Sequence, residues 1–205
     1  MTSFLTRPII DTEEARNAKT DILALIHFER FCRDNALWDE MRKCFAPDSH
    51  VSISWYQGSG DGFVTESSKM PIYAPHKINS ALTWLNGDRA VTIVNAAILM
   101  RREVNGVLCE LSSDAQLIFS TQKIDGQWYI ARFEAVYMQD RLIPVLPDAT
   151  LSLDSALLSK YRQSYACLSL CMDLSGYPTS QELPGRDRPE TVERIYADLR
   201  KWLEG

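Results

Sequence analysis

Residues 21–34 read DILALIHFERFCRD, and the fold turns on how this stretch is read. Ile22, Leu25, Ile26 and Cys32 recur at three- and four-residue spacings, the core-facing stripe of an amphipathic helix. Two carboxylates, Glu29 and Asp34, interrupt the stripe towards its end. Upstream, Asp11 or Thr12 can cap a helix, and Glu13 and Glu14 suit the positive end of its dipole. One helix can therefore run from that cap into the stretch. Downstream, Asn35 offers a break. Leu37, Trp38, Met41, Cys44 and Phe45 then form a second, shorter stripe that Ala46-Pro47-Asp48 ends.

Beyond this point the period changes to two. Val51, Ile53 and Trp55 alternate with Ser52, Ser54 and Tyr56, as in a half-buried strand. Gly58, Gly60 and Gly62 make a loop, Phe63 to Met70 has room for one or two helical turns, and Pro71 and Pro75 bracket the entry to a strand from His76 to Trp84. Asn86-Gly87, Asn105-Gly106 and Asp125-Gly126 are type I′-compatible pairs between apolar runs, the local signature of antiparallel hairpins. The strands between them cover 89–103, 107–122 and 127–138. Helices first and then a long meander predict an α+β fold, with a curved, mainly antiparallel sheet closing as a cone over the first helix.

Pro144 and Pro147 end the sheet. Leu157, Leu158, Tyr161, Tyr165, Leu168 and Met172 give another helical stripe, with Gly176 after it as a C′ residue. A last helix follows the loop from Tyr177 to Pro189, with Asp187 as its expected cap and Val192, Ile195, Leu199 and Trp202 on its face. The domain reading is a cone over 1–148 and a helical extension over 149–205. The extension is too small for a core of its own, so it must pack on the cone or on a partner chain. We expect it near the cavity mouth, contributing to a homodimer or larger homo-oligomer.

The composition bounds the function. At 205 residues, 45% hydrophobic and 24% charged, with a formal net charge of −5, the chain has ordinary globular content and no basic run to track phosphates. A nucleic-acid partner is therefore not expected. No apolar run reaches the roughly 20 residues a bilayer span needs, and the start of the chain lacks the pattern of a signal peptide. Five scattered cysteines suggest reduced thiols in a cytoplasm. Cys167 and Cys171 lie one helical turn apart, but neither has a nearby His or other Cys, so packing thiols are the expectation and no metal site.

An Asp on a helix and a His on a strand, enclosed by an apolar cone, make an acid/base pocket. RFCRDNALWDEMRKCFAPDSHVSISW resembles the helix–helix–strand opening of the SnoaL-like branch of the nuclear transport factor 2-like superfamily. HKINSALTWLNGDRA is similar to its His-led strand and hairpin, and DGQWYIARFEAVY to its final strand. The likeness covers about residues 15–143 and implies the cone fold. Dehydratases and a dehydrochlorinase of this branch pair a helical Asp with a strand His, and the match carries those roles onto Asp34 and His76. A carboxylate on one imidazole nitrogen fixes the tautomer and raises the basicity of the other. Without the resemblance, Asp34 reads as a cap for the second helix and His76 as a strand-start residue. His27 reads as packed or at a rim.

Departures from the branch are also visible. Glu29 stands where several of its enzymes have Tyr or Lys, and is a general acid, a partner for a substrate hydroxyl, or a rim residue paired with Arg30 or Arg33. The strand after His76 offers Asn95, Ala97 and Leu99 in the phase expected to face the cavity, so Asn95 is its polar candidate. Phe133 falls near the place of an arginine in the dehydrochlorinase. On the final strand Tyr129, Phe133, Ala135 and Tyr137 are expected to share one face, against Trp128, Ile130, Arg132 and Glu134. The resulting expectation is a cofactor-independent, dehydratase-like lyase or isomerase acting on a hydrophobic small molecule. His76 is its base, Asp34 orients His76, and Glu29, Tyr56, Asn95 and Phe133 are substrate contacts. The alternative is a non-catalytic binding or scaffolding module, like the β subunits of ring-hydroxylating dioxygenases.

Overall fold

A computed structural model describes residues 5–205; residues 1–4, part of the stretch considered above for a signal peptide, lie outside the described residues. Thr12 caps the first helix, its Oγ1 accepting from the Ala15 amide at 3.1 Å, and α1 runs unbroken over Glu13–Asp34. Ile22, Ile26 and Cys32 are buried along it. A short α2, Trp38–Arg42, follows.

Six strands form one sheet: β1 Phe45–Ser52, β2 Gln57–Ser59, β3 His76–Asn86, β4 Arg89–Val104, β5 Val107–Ile124 and β6 Gln127–Pro144. Their order is β2-β1-β6-β5-β4-β3, with β1 parallel to β6 and every other pairing antiparallel. A helix α3, Gly60–Lys69, connects β2 to the entry of β3. Asn105-Gly106 and Asp125-Gly126 each carry two positive φ angles, as a type I′ turn demands. The first hairpin differs by one residue. Asn86 already pairs with Arg89, so its loop is Gly87-Asp88 with only Gly87 at positive φ.

Two expectations at strand ends need correction. Ala46-Pro47-Asp48 lies inside β1 rather than before it, and the pairing with β6 is irregular between Phe45 and His50, where proline lacks a donor. On β6 strict alternation fails, because the register with β5 slips between Ser120 and Thr121 and again between Asp114 and Ala115. A bulge reverses the phase of what precedes it. Trp128 and Ile130 thus join Phe133, Ala135 and Tyr137 in the core, while the Tyr129 hydroxyl turns to Gln127 at 3.2 Å.

The C-terminal third packs on the same chain. The stripe from Leu157 to Met172 is not one helix but α4 (Ser155–Leu158), a 3-10 turn (Gln163–Tyr165) and α5 (Ala166–Asp173). The helix is interrupted where Arg162 turns to Asp187 and Tyr165 packs on Tyr137 with ring centroids 5.1 Å apart. Asp140 Oδ2 accepts from the Leu168 amide at 2.7 Å, fixing the start of α5 against β6. The last helix, α6 (Pro189–Glu204), lays Ile195 and Leu199 on Trp84, Val91, Ile93, Ile118 and Val136, the convex face of the sheet. Its cap is Arg188 rather than Asp187, whose carboxylate is held by Arg162 Nε and Nη2 at 2.9 and 2.6 Å. That bidentate pair, with the Leu183 carbonyl accepting from Arg162 Nη1 at 2.7 Å, ties down the loop before α6.

The hydrogen bond from Arg162 is the main reason the Asp187 carboxyl sits near 2, against ordinary carboxyls near 4. A depressed carboxyl adds stability that is present above the unfolded pKa and lost as pH falls towards 2. Asp187→Asn should therefore cost about 1–2 kcal/mol at neutral pH, since the buried Arg162 loses its charged partner but water reaches Asp187 and screens the pair. Chemical denaturation at pH 7 and pH 3 checks this, and the deficit should shrink at the lower pH.

Candidate active site

The last residue of α1 and the first of β3 meet at one end of the cone. Asp34 Oδ2 accepts from the His76 backbone amide at 2.8 Å, and Oδ1 lies 2.9 Å from His76 Nδ1. Both carboxylate oxygens are committed to a single residue 42 positions away. Asp34 therefore does not serve as the cap of α2, which begins from Leu37 without a side-chain cap.

Burial holds the His76 imidazole below its ordinary pKa; the Asp34 hydrogen bond opposes this, and the Arg30 and Arg33 charges reinforce it. For Asp34, burial pushes upward but the bonds from His76 outweigh it, and its carboxyl lies below the usual range. The pair therefore rests as carboxylate and neutral imidazole. A carboxylate can only accept, so the proton sits on Nδ1 and the lone pair on Nε2.

Arg30, considered in the sequence only as a partner for Glu29, is also a neighbour of His76. Its Nη1 approaches His76 Nε2 at 3.4 Å, and its guanidinium lies 4.8 Å from the Phe133 ring centroid. Arg30 precedes Asp34 by four residues on α1, hence one turn away on the same face. That spacing was the available signal. Its charge is balanced by Glu29, whose oxygens accept from Nε and Nη2 at 2.5 Å each. Glu29 is fully buried and Arg30 only 3% exposed. Of the roles considered for Glu29, the pairing with Arg30 is the one the structure displays, at a buried position and not at a rim.

The cavity beside this pair is lined by Arg30, Arg33, His76 and Phe133 among polar and aromatic groups. Ile53, Trp55, Phe63, Ile98, Met100, Leu117 and Tyr137 form its apolar walls. Leu168 and Met172 of α5 close it, so the extension does reach the cavity. Its free space is about 50 Å³ for the centres of water-sized spheres, room for about four waters. The Tyr137 hydroxyl accepts from the Ser54 amide at 2.8 Å, and burial pushes it up to about 12, so it stays protonated.

Other predicted contacts fall elsewhere. On β4 the cavity residues are Ile98 and Met100, the opposite phase to Asn95. Asn95 is exposed and donates to Ser80 Oγ at 2.9 Å. Tyr56 donates to the Ser59 carbonyl at 3.1 Å outside the lining, and Trp55 takes its place there. His27 and His50 are exposed. The five cysteines are free thiols, and among the described residues no group of three or more His, Cys, Asp or Glu side chains is placed to hold a metal.

A curved sheet closed by a helix that carries the acid of a His-Asp pair defines the class: a cystatin-like α+β cone. The chain belongs to the SnoaL-like domain family, which matches residues 14–134. Among its relatives are an uncharacterized protein of Emericella nidulans, 29% identical over 84% of this chain and 80% of the relative, and pea pathogenicity protein 2 of Fusarium vanettenii, 27% identical over the same shares. Similar solved structures include a protein of unknown function from Mycobacterium tuberculosis (TM-score 0.54, 16% identity, 82% of this chain and 95% of that one). A hexachlorocyclohexane dehydrochlorinase of Novosphingobium barchaimii (0.51, 12%, 67% and 96%) and a putative scytalone dehydratase of Novosphingobium aromaticivorans (0.50, 16%, 65% and 95%) share the same cone. At these identities the structures show a common fold.

Proposed function

We propose that this chain is a cofactor-independent lyase or isomerase, dehydratase-like in its chemistry, acting on a hydrophobic small molecule in the cone. One observation carries the reading: a neutral imidazole held through Nδ1 by a carboxylate, with its Nε2 lone pair on the cavity side, where Arg30 Nη1 makes a long 3.4 Å contact that a substrate must displace. In the proposed step a substrate C–H bond breaks and its proton moves to Nε2. The electron pair either expels a leaving group from the adjacent carbon, a hydroxyl taking the proton back from Nε2 to depart as water, or is held until Nε2 returns the proton at another carbon. Asp34 stabilises the imidazolium, and Arg30 faces the negative charge left on the substrate. The dehydratase and dehydrochlorinase among the similar structures support the reaction class by analogy of fold.

The direct test is incubation in D₂O with a panel of apolar β-hydroxy acids, cyclic β-hydroxyketones and their unsaturated counterparts, followed by mass spectrometry. Deuterium incorporation or loss of water is expected with the intact protein. Inertness towards the whole panel, with His76→Gln indistinguishable from the parent, would reject the proposal. A second reading, a binding or scaffolding module, is favoured by the small free volume of the cavity. A homo-oligomer remains part of either proposal, checked by light scattering. Among the described residues no helix is long and apolar enough to cross a membrane.

The acid limb of the rate profile follows from the imidazole. Only neutral His76 accepts a proton, and its pKa is depressed, so the midpoint should fall below about 6.5. The sign for stability agrees: the unfolded chain takes up that proton more readily, so the contribution is full above about 6.5 and declines as pH falls. A pH–rate profile with its acid midpoint above 7 would contradict this.

A further inference from the structure

Within this cavity one charge lacks a counter-ion. Arg33 lines it and is 9% exposed, and the contacts of its guanidinium are Met70 Sδ at 3.8 Å and the Trp38 ring, 5.8 Å to the centroid. Among the described residues no carboxylate oxygen lies within 4.0 Å of it. The two nearby acids are occupied elsewhere. Glu29 gives both oxygens to Arg30, and Asp34 gives both to His76.

A mostly buried guanidinium with no oxygen acceptor from the protein is costly, because only part of its lost hydration is replaced. Burial, followed by the charge of Arg30, holds its pKa below the ordinary arginine range, while Asp34 and Glu29 act more weakly the other way. Met70 sulfur is a weak acceptor and Trp38 offers only its ring face, so neither replaces an oxyanion. Arginine's planar fork fits a carboxylate with two parallel hydrogen bonds. Ile53, Phe63, Ile72 and Phe133, which line the same cavity, are apolar.

We propose that Arg33 is a specificity residue that binds the carboxylate of an apolar organic acid, with the acid's hydrocarbon body against those walls. The assignment narrows the substrate class of the reaction proposed above and rests on that reading of the cavity. The carboxylate at Arg33 anchors the molecule, and the carbon that reacts at His76 lies further along it. Buried polar groups left unpaired by a neutral analogue are the means by which such a site discriminates.

Calorimetric titration at pH 7.5 tests this with two matched pairs, benzoate against benzamide and hexanoate against hexanamide. The intact protein should bind each acid about tenfold or more tightly than its amide, the range of a hydrogen bond to a charged group. Arg33→Met should remove the preference, and Arg33→Lys should keep part of it. Asp34→Asn should retain it, because that residue serves the proton transfer and not the anchor. Should Arg33→Met fail to fold, Arg33→Gln with the parent's ratio decides. Equal binding of acid and amide, binding of neither, or a preference that survives loss of Arg33 would each overturn the proposal. A persistent acid preference in a protein inert in D₂O would leave Arg33 as an anchor and reject only the proton transfer.

Discussion

Asp34→Asn should lower turnover by about 10³-fold or more while leaving the fold intact, the scale of loss seen when a base's orienting carboxylate is amidated. The reason lies in the two bonds Asp34 makes. Its Oδ2 accepts from a backbone amide, which can only donate, and its Oδ1 faces Nδ1. Asparagine has one acceptor for these two places. If its oxygen takes the backbone amide, its NH₂ faces Nδ1 and forces the imidazole proton onto Nε2, where no base remains. If the oxygen faces Nδ1 instead, the NH₂ opposes the His76 amide and the start of β3 must shift. Either way the reactive tautomer is lost or displaced, though the shape of the core is kept. Steady-state kinetics on whatever substrate the D₂O screen identifies, beside a thermal melt, decide it. An undiminished rate would remove Asp34 from the mechanism.

The second large effect falls on stability. Arg30→Met should destabilise the protein by about 3–5 kcal/mol, the cost of stranding one member of a buried ion pair. For a chain of this size that is about 10 °C in melting temperature, at about 2–4 °C per kcal/mol. Glu29 has no solvent exposure, and both its oxygens bond to Arg30, so removing the guanidinium leaves a carboxylate in the core without a partner. The charge above Phe133 goes as well. Replacing both members, Glu29→Gln with Arg30→Met, should recover most of the loss, since a neutral pair of similar volume carries no buried charge. Denaturant melts of the two singles and the double form the required cycle. Additive losses would show that the two residues act separately. The two variants also probe different things: the change at Asp34 falls mainly on the base, whereas the change at Arg30 falls mainly on stability, before any effect on charge at the reacting carbon.

Much of the architecture was legible because it rests on local rules. The period of 3.6 over Asp21–Asp34 and the period of two beyond Val51 are properties of neighbouring residues. Thr12 with Glu13 and Glu14 marked the start of α1, and Asn105-Gly106 and Asp125-Gly126 set two hairpins through their positive φ angles. The Asp34–His76 contact was reached through resemblance to a family pattern, and the geometry at 2.9 Å agrees with the expected pairing.

What only the tertiary structure decided depends on residues far apart in the chain. Alternation assumes an unbroken ladder, and two register slips between β5 and β6 altered which side chains face inward; nothing within β6 alone announces them. Asn95 was placed in the cavity by the same assumption on β4 and lies on the exposed side instead. The stripe from Leu157 to Met172 has helical spacing, yet Arg162 on Asp187 and Tyr165 on Tyr137 break it, and both partners lie more than twenty residues away. Arg30 and Arg33 look in sequence like ordinary charges on a helix surface. Their burial, and therefore their chemistry, arises only when the sheet closes over α1, because in a low-dielectric enclosure the partner a charge has or lacks outweighs its intrinsic preference for water.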